Sequence, residues 1–412
     1  MVRQKRIFII PLIIIFQLIF LFMLMNSIEL YAQDDDLYEK AWKVHDTALV
    51  IDAHAHPMIY LFSNKEHLEL GKKTVKSCVD FPTMKQGGLD GVFLALPLND
   101  DRNQNDALKK ITEDILLITD QINKYSDISE LAFSTDNISR IHSLGKRAVI
   151  LSIEYSGCLK GDINTLDIYS KAGIRSITLD ERVDHIGLPR NSKNPEGGLS
   201  DFGKGVIERM NKLGIIIDIT HLSDKLQLDI INYSKTPVIA SHSCLRSVNN
   251  KSRNIPDNIV KELAKKDGVI HVTFSPGHVS NAYFKRQNEV NDEFNRESLL
   301  IEEKYKNDPE KILINLRWLW NRYFPDKVKI EQMVDHIDHV VKIAGIDYVG
   351  LGSDFVGYQF TEGMKDASGF PLITYELLKR GYKEEDILKI LGENLMRVFK
   401  KVENTAKALN IK

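Results

Sequence analysis

Cysteine is scarce in this chain. The three present, Cys78, Cys158 and Cys244, lie far apart, show no CxxC spacing and cannot all pair. That argues against a disulfide framework or a thiolate metal site, and each reads as a free buried thiol. Neither sign of charge predominates: 55 lysines and arginines stand against 57 acidic residues, a net charge of −2, so no field of one sign waits for nucleic acid. Glycine and proline, at 24 and 12 of 412 residues, are too few for a collagen-like or low-complexity chain. The glycine-rich piece GLGSD before Asp354 is too short for a phosphate cradle and lacks the lysine of a P-loop. What remains is ordinary globular composition, 43% apolar and 27% charged.

The N-terminus departs from that average. Arg3, Lys5 and Arg6 precede an uncharged, strongly apolar run from Ile7 to Met25, followed by LYAQDDD. This is the pattern of an export signal, with a cleavage site after Ala32. The same run is also long enough to span about 30 Å of hydrocarbon, so residues 1–32 read as a signal peptide or, alternatively, as an N-terminal membrane anchor. Either way residues 33–412 are expected to work outside the cytoplasm, periplasmic or extracellular, secreted or anchored.

No repeat, linker or charge block divides residues 33–412, which therefore read as one domain. Within it a short, β-branched apolar run recurs eight times: LVIDAHAH (49–56), GVFLALPL (91–98), AVILSIE (148–154), RSITLD (175–180), IIIDITH (215–221), VIASHS (238–243), VIHVTFS (269–275) and YVGLGSD (348–354). Stretches with helical spacing separate the runs, with Ser200 and Ser223 as N-caps and Gly214 as a C-terminal stop. Near-continuous apolar strands alternating with amphipathic helices predict a parallel sheet covered by helices. Eight such units predict an α/β fold, a (β/α)8 TIM barrel. The surplus length falls into helical insertions after strands 2 and 7, at 99–147 and 276–347. The second carries Trp318, Trp320 and Tyr323, either a lid or subunit interface or an ordinary packing stripe.

Barrel enzymes place their chemistry at the C-terminal ends of the strands. The first run ends with His54 and His56, the third with Glu154, the fifth with His221, the sixth with His242 and the eighth with Asp354. Two residues apart on a strand, His54 and His56 project from one face and can reach one ion. Imidazoles with a carboxylate are the donor set that zinc favours. Glu154, having two oxygens, can bridge two divalent ions, with His221 and His242 holding the second. Such a pair activates a hydroxide and polarises the carbonyl it attacks, leaving Asp354 as the proton shuttle. Arg253, on the loop after the sixth strand, can clamp a substrate carboxylate with its planar fork; Arg246 is a weaker candidate for that role. Other histidines read as structural: His271 as a core histidine, His336 and His339 as a solvated or capping helix face. His45, His67, His142 and His278 have no convergent partners.

DITHLSD around His221, PVIASHS around His242, SRNIPD with Arg253, HIDHVVKIAGIDYVGLGSDF and ILGENLMRVF together resemble the membrane (renal-type) dipeptidases of peptidase family M19, from about residue 49 to 403. GGLSDFGKGVIERMNKLG and TMKQGGLDGVFLALPL fit the same pattern. The resemblance implies a binuclear zinc barrel that hydrolyses dipeptides, tolerates a D-residue at the C-terminal position and, in some members, opens β-lactams. It makes His54 a ligand of the first zinc, Glu154 the bridge, His221 and His242 ligands of the second, Arg253 the carboxylate binder and Asp354 the acid/base. It also implies a homodimer.

The chain departs from the family pattern at three places. His56 stands where the family has aspartate, which makes the cluster one unit more positive. Glu181 stands where the family has the histidine that contacts the substrate carbonyl, and His185 is the residue that can reach in instead. Tyr155 and Ser156 replace a Gly-Gly after the bridge. The expected activity is a metallo-dipeptidase with a small dipeptide substrate and no nucleic-acid partner. The alternatives are an amidohydrolase of another small amide, lactam, lactone or ester, and a non-catalytic metal-binding surface protein.

Overall fold

A computed structural model describes residues 36–57, 68–75, 77–96, 107–154, 159, 161–179, 186–187, 197–355 and 357–411. The N-terminal segment 1–32, Tyr155, Ser156, Cys158, Glu181 and His185 lie outside them. Among the described residues no helix is long and apolar enough to cross a membrane.

All eight apolar runs form parallel strands. They are β1 (Ile51–Ala55), β2 (Gly91–Leu96), β4 (Arg147–Glu154), β5 (Ile174–Thr178), β6 (Ile216–Asp218), β7 (Ile239–Ser243), β8 (Val269–Val272) and β9 (Val349–Leu351), hydrogen-bonded in that order. The ring is completed where Ala55 bridges Phe355 in parallel. There the His56 amide donates to the Phe355 carbonyl at 3.1 Å and the Asp354 amide to the His54 carbonyl at 2.9 Å. With helices outside, this is a (β/α)8 barrel.

One strand was not expected. The insertion at 99–147 holds two helices, Ala107–Lys124 and Thr135–Ser143, and between them β3 (Ser129–Leu131), which pairs with β4 off the main path. Three residues are too few for a periodicity to show in sequence. The second insertion carries helices Asn281–Lys304, Pro309–Tyr323 and Ile330–Ile343. In it Trp320 is buried, and its indole N–H donates to the Tyr283 hydroxyl at 2.7 Å. Tyr323 is buried as well, while Trp318 is 62% exposed. Two of the three aromatics therefore serve the packing stripe.

Alternation along β4 explains why its last residue faces inward. Ala148 and Ile150 belong to the inner core, Val149, Leu151 and Ile153 to the outer one, so Ser152 and Glu154 continue the inward row. On β1, Ile51 and Ala53 are inner residues but Ala55 is outer, and the pairing register slips between Asp52 and Ala55. That slip changes the strand's phase and turns His54 and His56 toward the mouth. A similar slip lies between Ala240 and Ser243 of β7, beside His242. The opposite end of the barrel is plugged by the C-terminal helix Asn394–Asn410, whose Leu395, Val398, Phe399 and Val402 pack on Ile51, Phe93, Ile150 and Ile239. Asn394 secures the plug by donating to the carbonyls of Ile346 and Val349, at 2.8 and 2.9 Å.

Candidate metal centre

The Glu154 carboxylate lies among four imidazoles. Its Oε2 is 3.1 Å from His56 Nε2 and 3.8 Å from His54 Nε2; its Oε1 is 2.8 Å from His221 Nε2 and 3.6 Å from His242 Nε2. Each oxygen thus faces its own pair of nitrogens. His54 Nε2 and His56 Nε2 are 3.3 Å apart, and His221 Nε2 and His242 Nε2 2.9 Å. Ligands held about 2.0–2.1 Å from one tetrahedral ion stand about 3.3 Å from each other. Among the described residues three donor sets are compact enough to hold an ion: His54, His56 and Glu154; Glu154, His221 and His242; and His54, His242 and Asp354. The first two share Glu154, as a bridging carboxylate requires.

Two residues that the sequence reading passed over aim these rings. Asp218, at the end of β6, accepts from the amides of Thr220 and Ser241 and from the hydroxyls of Thr178, Thr220 and Ser241. Because Ser241 donates its proton to Asp218, at 2.5 Å, its lone pairs are left for the imidazoles: His242 Nδ1 at 2.9 Å and His54 Nδ1 at 3.4 Å. Both rings then carry hydrogen on Nδ1 and present the Nε2 lone pair to the cluster. The only clue in sequence was that Asp218 and Ser241 are polar residues within apolar runs, just before His221 and His242.

Burial sets the protonation. It pushes His54 down to about 4 and His242 well below the usual imidazole range; His221 is lowered by burial and then by the Arg253 charge. Burial alone would raise Glu154, but hydrogen bonds from His221 and His56 outweigh it and hold the carboxylate well below its ordinary value. His56 is also opposed by burial, yet its bond to Glu154 raises it. Asp354 is pushed up to about 6, chiefly by burial and then by the Glu154 charge. An ionised carboxylate among largely neutral imidazoles is the state that metal binding needs, so the donors present suit a divalent cation.

The backbone takes the left-handed conformation at two of these positions, His221 and Asp354, with φ of 74° and 57°, one that residues other than glycine adopt uncommonly. Arg253 reaches the cluster from its loop, with one guanidinium nitrogen against His221 Nε2 and 3.3 Å from His242 Nε2. Arg246 does not reach it: its fork grips Asp224 at 2.6 and 2.8 Å. Lys251, two residues before Arg253, is pulled down to about 8 by burial and lies 3.2 Å from His278 Nε2. His271 is buried beneath the Ala240 carbonyl, at 3.0 Å. His336 differs from the expected solvated face: it is fully buried, its Nε2 2.9 Å from the Val279 carbonyl and its Nδ1 3.1 Å from the Leu245 amide.

The model of the membrane dipeptidase family (peptidase family M19) matches residues 38–412. The chain belongs to this family. Among curated relatives, the dipeptidase tcpJ of Claviceps purpurea is 28% identical over 345 residues, 81% of this chain and 71% of its own. The dipeptidase aclJ of Aspergillus oryzae is 27% identical over 378 residues, 89% and 78% of the two chains. Among solved structures, the probable dipeptidase PvdM from Pseudomonas aeruginosa superposes with a TM-score of 0.73 at 24% identity, covering 90% of this chain and 99% of that one. The fold is shared too by a metallo peptidase from Rhodobacter sphaeroides liganded with a phosphinate mimic of the dipeptide L-Ala-D-Ala: TM-score 0.65, 20% identity, 86% and 99% coverage. As a member of this family the chain is a metal-dependent hydrolase of the dipeptidase type.

Proposed function

We propose that this M19 dipeptidase binds two divalent ions, zinc by the nature of its donors, one at His54, His56 and Glu154 and the other at Glu154, His221 and His242. The observation that carries the assignment is Glu154, each of whose oxygens faces a separate pair of imidazole nitrogens. When bound, the ions supply a water nucleophile active at neutral pH and Lewis acidity toward the amide carbonyl.

The remaining roles fall to side chains of this chain. Arg253 holds the dipeptide's carboxylate by its fork and so fixes the amide over Glu154. Asp354 accepts the proton shed by the attacking water and delivers it to the amide nitrogen as the C–N bond breaks. Its carboxyl, pushed up to about 6, is poised for both transfers near neutral pH. In the same proposal residues 1–32 export the chain or anchor it, on the strength of Arg3, Lys5, Arg6 and the apolar run that follows.

The test is metal content of the purified protein together with turnover of a dipeptide panel. Because the Rhodobacter sphaeroides enzyme was liganded with a mimic of L-Ala-D-Ala, the panel includes dipeptides with a C-terminal D-residue. Two equivalents of metal and cleavage that stops on chelation are expected. A protein that binds no divalent ion, or one that cleaves the panel equally well after chelation, refutes the assignment.

A further inference from the structure

Beside Asp354 the barrel mouth opens into a cavity of about 200 Å³, walled by Phe274, Phe355, Tyr358, Phe360 and Met364, with Gly357 in its lining. The walls are fixed by their own packing. Phe274 meets Phe355 edge to face with centroids 5.8 Å apart, and Phe360 lies 5.1 Å from the buried Trp320. Among the described residues that line it, Asp354 is the only acidic one and the exposed Lys365 the only cation, and Ser275, Ser353 and Gln359 are uncharged. Pockets for whole small-molecule ligands run to about 300–1,000 Å³, so this one suits a single side chain. Aromatic walls favour an apolar or aromatic one.

Position decides whose side chain it is. Arg253 touches His221 and His242, on one flank of the cluster, whereas Asp354 joins His54 and His242 on the other. A dipeptide with its carboxylate on Arg253 and its amide over Glu154 runs on toward Asp354 with its amino-terminal residue. We infer that the cavity at Asp354 receives the side chain of the substrate's amino-terminal residue, and that the preferred substrates are dipeptides with a large apolar or aromatic residue there. This rests on the dipeptidase reading above.

Gly357 provides the test. Its φ is not left-handed, and a Cβ there meets only the Gln359 amide nitrogen, at 4.0 Å, so Gly357→Leu adds bulk to the cavity lining without displacing backbone. In the metal-loaded full chain, kcat/KM is measured for Phe-Gly, Leu-Gly and Ala-Gly and for the mirror series Gly-Phe, Gly-Leu and Gly-Ala. The unaltered protein is expected to prefer Phe-Gly over Ala-Gly by about 10- to 100-fold, the worth of burying one large side chain. In Gly357→Leu that ratio is expected to fall to near one, while the Gly-Phe to Gly-Ala ratio keeps its value. Gly357→Ala gives a graded form of the same loss should the leucine variant not fold. An undiminished Phe-Gly preference in the variants, a loss confined to the mirror series, or an unaltered protein indifferent to the first residue overturns the inference. Failure of the unaltered protein to cleave either series counts instead against the dipeptidase reading.

Discussion

Ser241 shows how little separates a proposed metal ligand from an ordinary core histidine. One hydroxyl, its proton committed to Asp218, faces the Nδ1 atoms of both His242 and His54, so a single side chain sets two tautomers. Ser241→Ala is expected to weaken metal binding by about 10- to 100-fold, read by competition with a chelating indicator; affinity equal to that of the unaltered protein would mean the rings are held by packing alone. Asp354 differs in its proposed role, which is to handle a proton rather than to orient a ring. Asp354→Asn is expected to lower kcat by about 10²- to 10⁴-fold with both metal equivalents retained, and loss of metal along with activity would make Asp354 a ligand. The imidazoles, Glu154 and Asp354 were legible in sequence because each ends an apolar run, where a strand meets the barrel mouth. Asp218 and Ser241 were not, since a polar residue inside a strand looks the same whether it orients a ligand or satisfies a neighbouring backbone group.

Strand ends, more than strands, determine the site. The eight runs and their helices follow from periodicity, and Ser200 and Gly214 frame their helix as read: Ser200 accepts from the Gly203 amide and Gly214 takes φ of 71°. The slips in β1 and β7 do not follow from periodicity, because a change of register depends on the partner strand and leaves the alternation of residue types untouched. Nor did sequence reveal that His336 is enclosed, since its ring is held by Leu245 and Val279, both remote in the chain. Gly352, just past β9, shows how tightly these ends fit. A Cβ there would run into the Ser241 carbonyl oxygen and crowd His271. Gly352→Ala is therefore expected to destabilise the protein by about 1–3 kcal/mol and to reduce kcat as well, since Asp354 lies two residues on. Thermal unfolding and steady-state kinetics check both, and a variant with unaltered Tm would show that β9 can move aside.

Across the whole molecule, buried neutral histidines tie stability to pH. Burial pushes His271 and His336 down to about 4, below the value near 6.5 expected once the chain unfolds. The unfolded state therefore binds more protons between those values. The stability these residues contribute is complete above about pH 6.5 and is lost as pH falls toward 4, about 3 kcal/mol for each. Protonating His336 sets a second N–H against the Leu245 amide. Denaturant titrations at about pH 7.5 and about pH 5 are expected to show a smaller difference for His336→Gln than for the unaltered protein; equal differences would assign the acid sensitivity elsewhere. Closure of the ring bears on how the proposed ions would be bound. His54 lies on the first strand and Ser353, which donates to the His54 carbonyl from 299 residues away, follows the last. A chain still emerging from a ribosome or a translocation pore thus displays every imidazole of the cluster before the seam between Ala55 and Phe355 can form. In the proposed two-ion site, binding at the full strength of the cluster therefore follows docking of the final strand, which fixes His54 through the Ser353 bond.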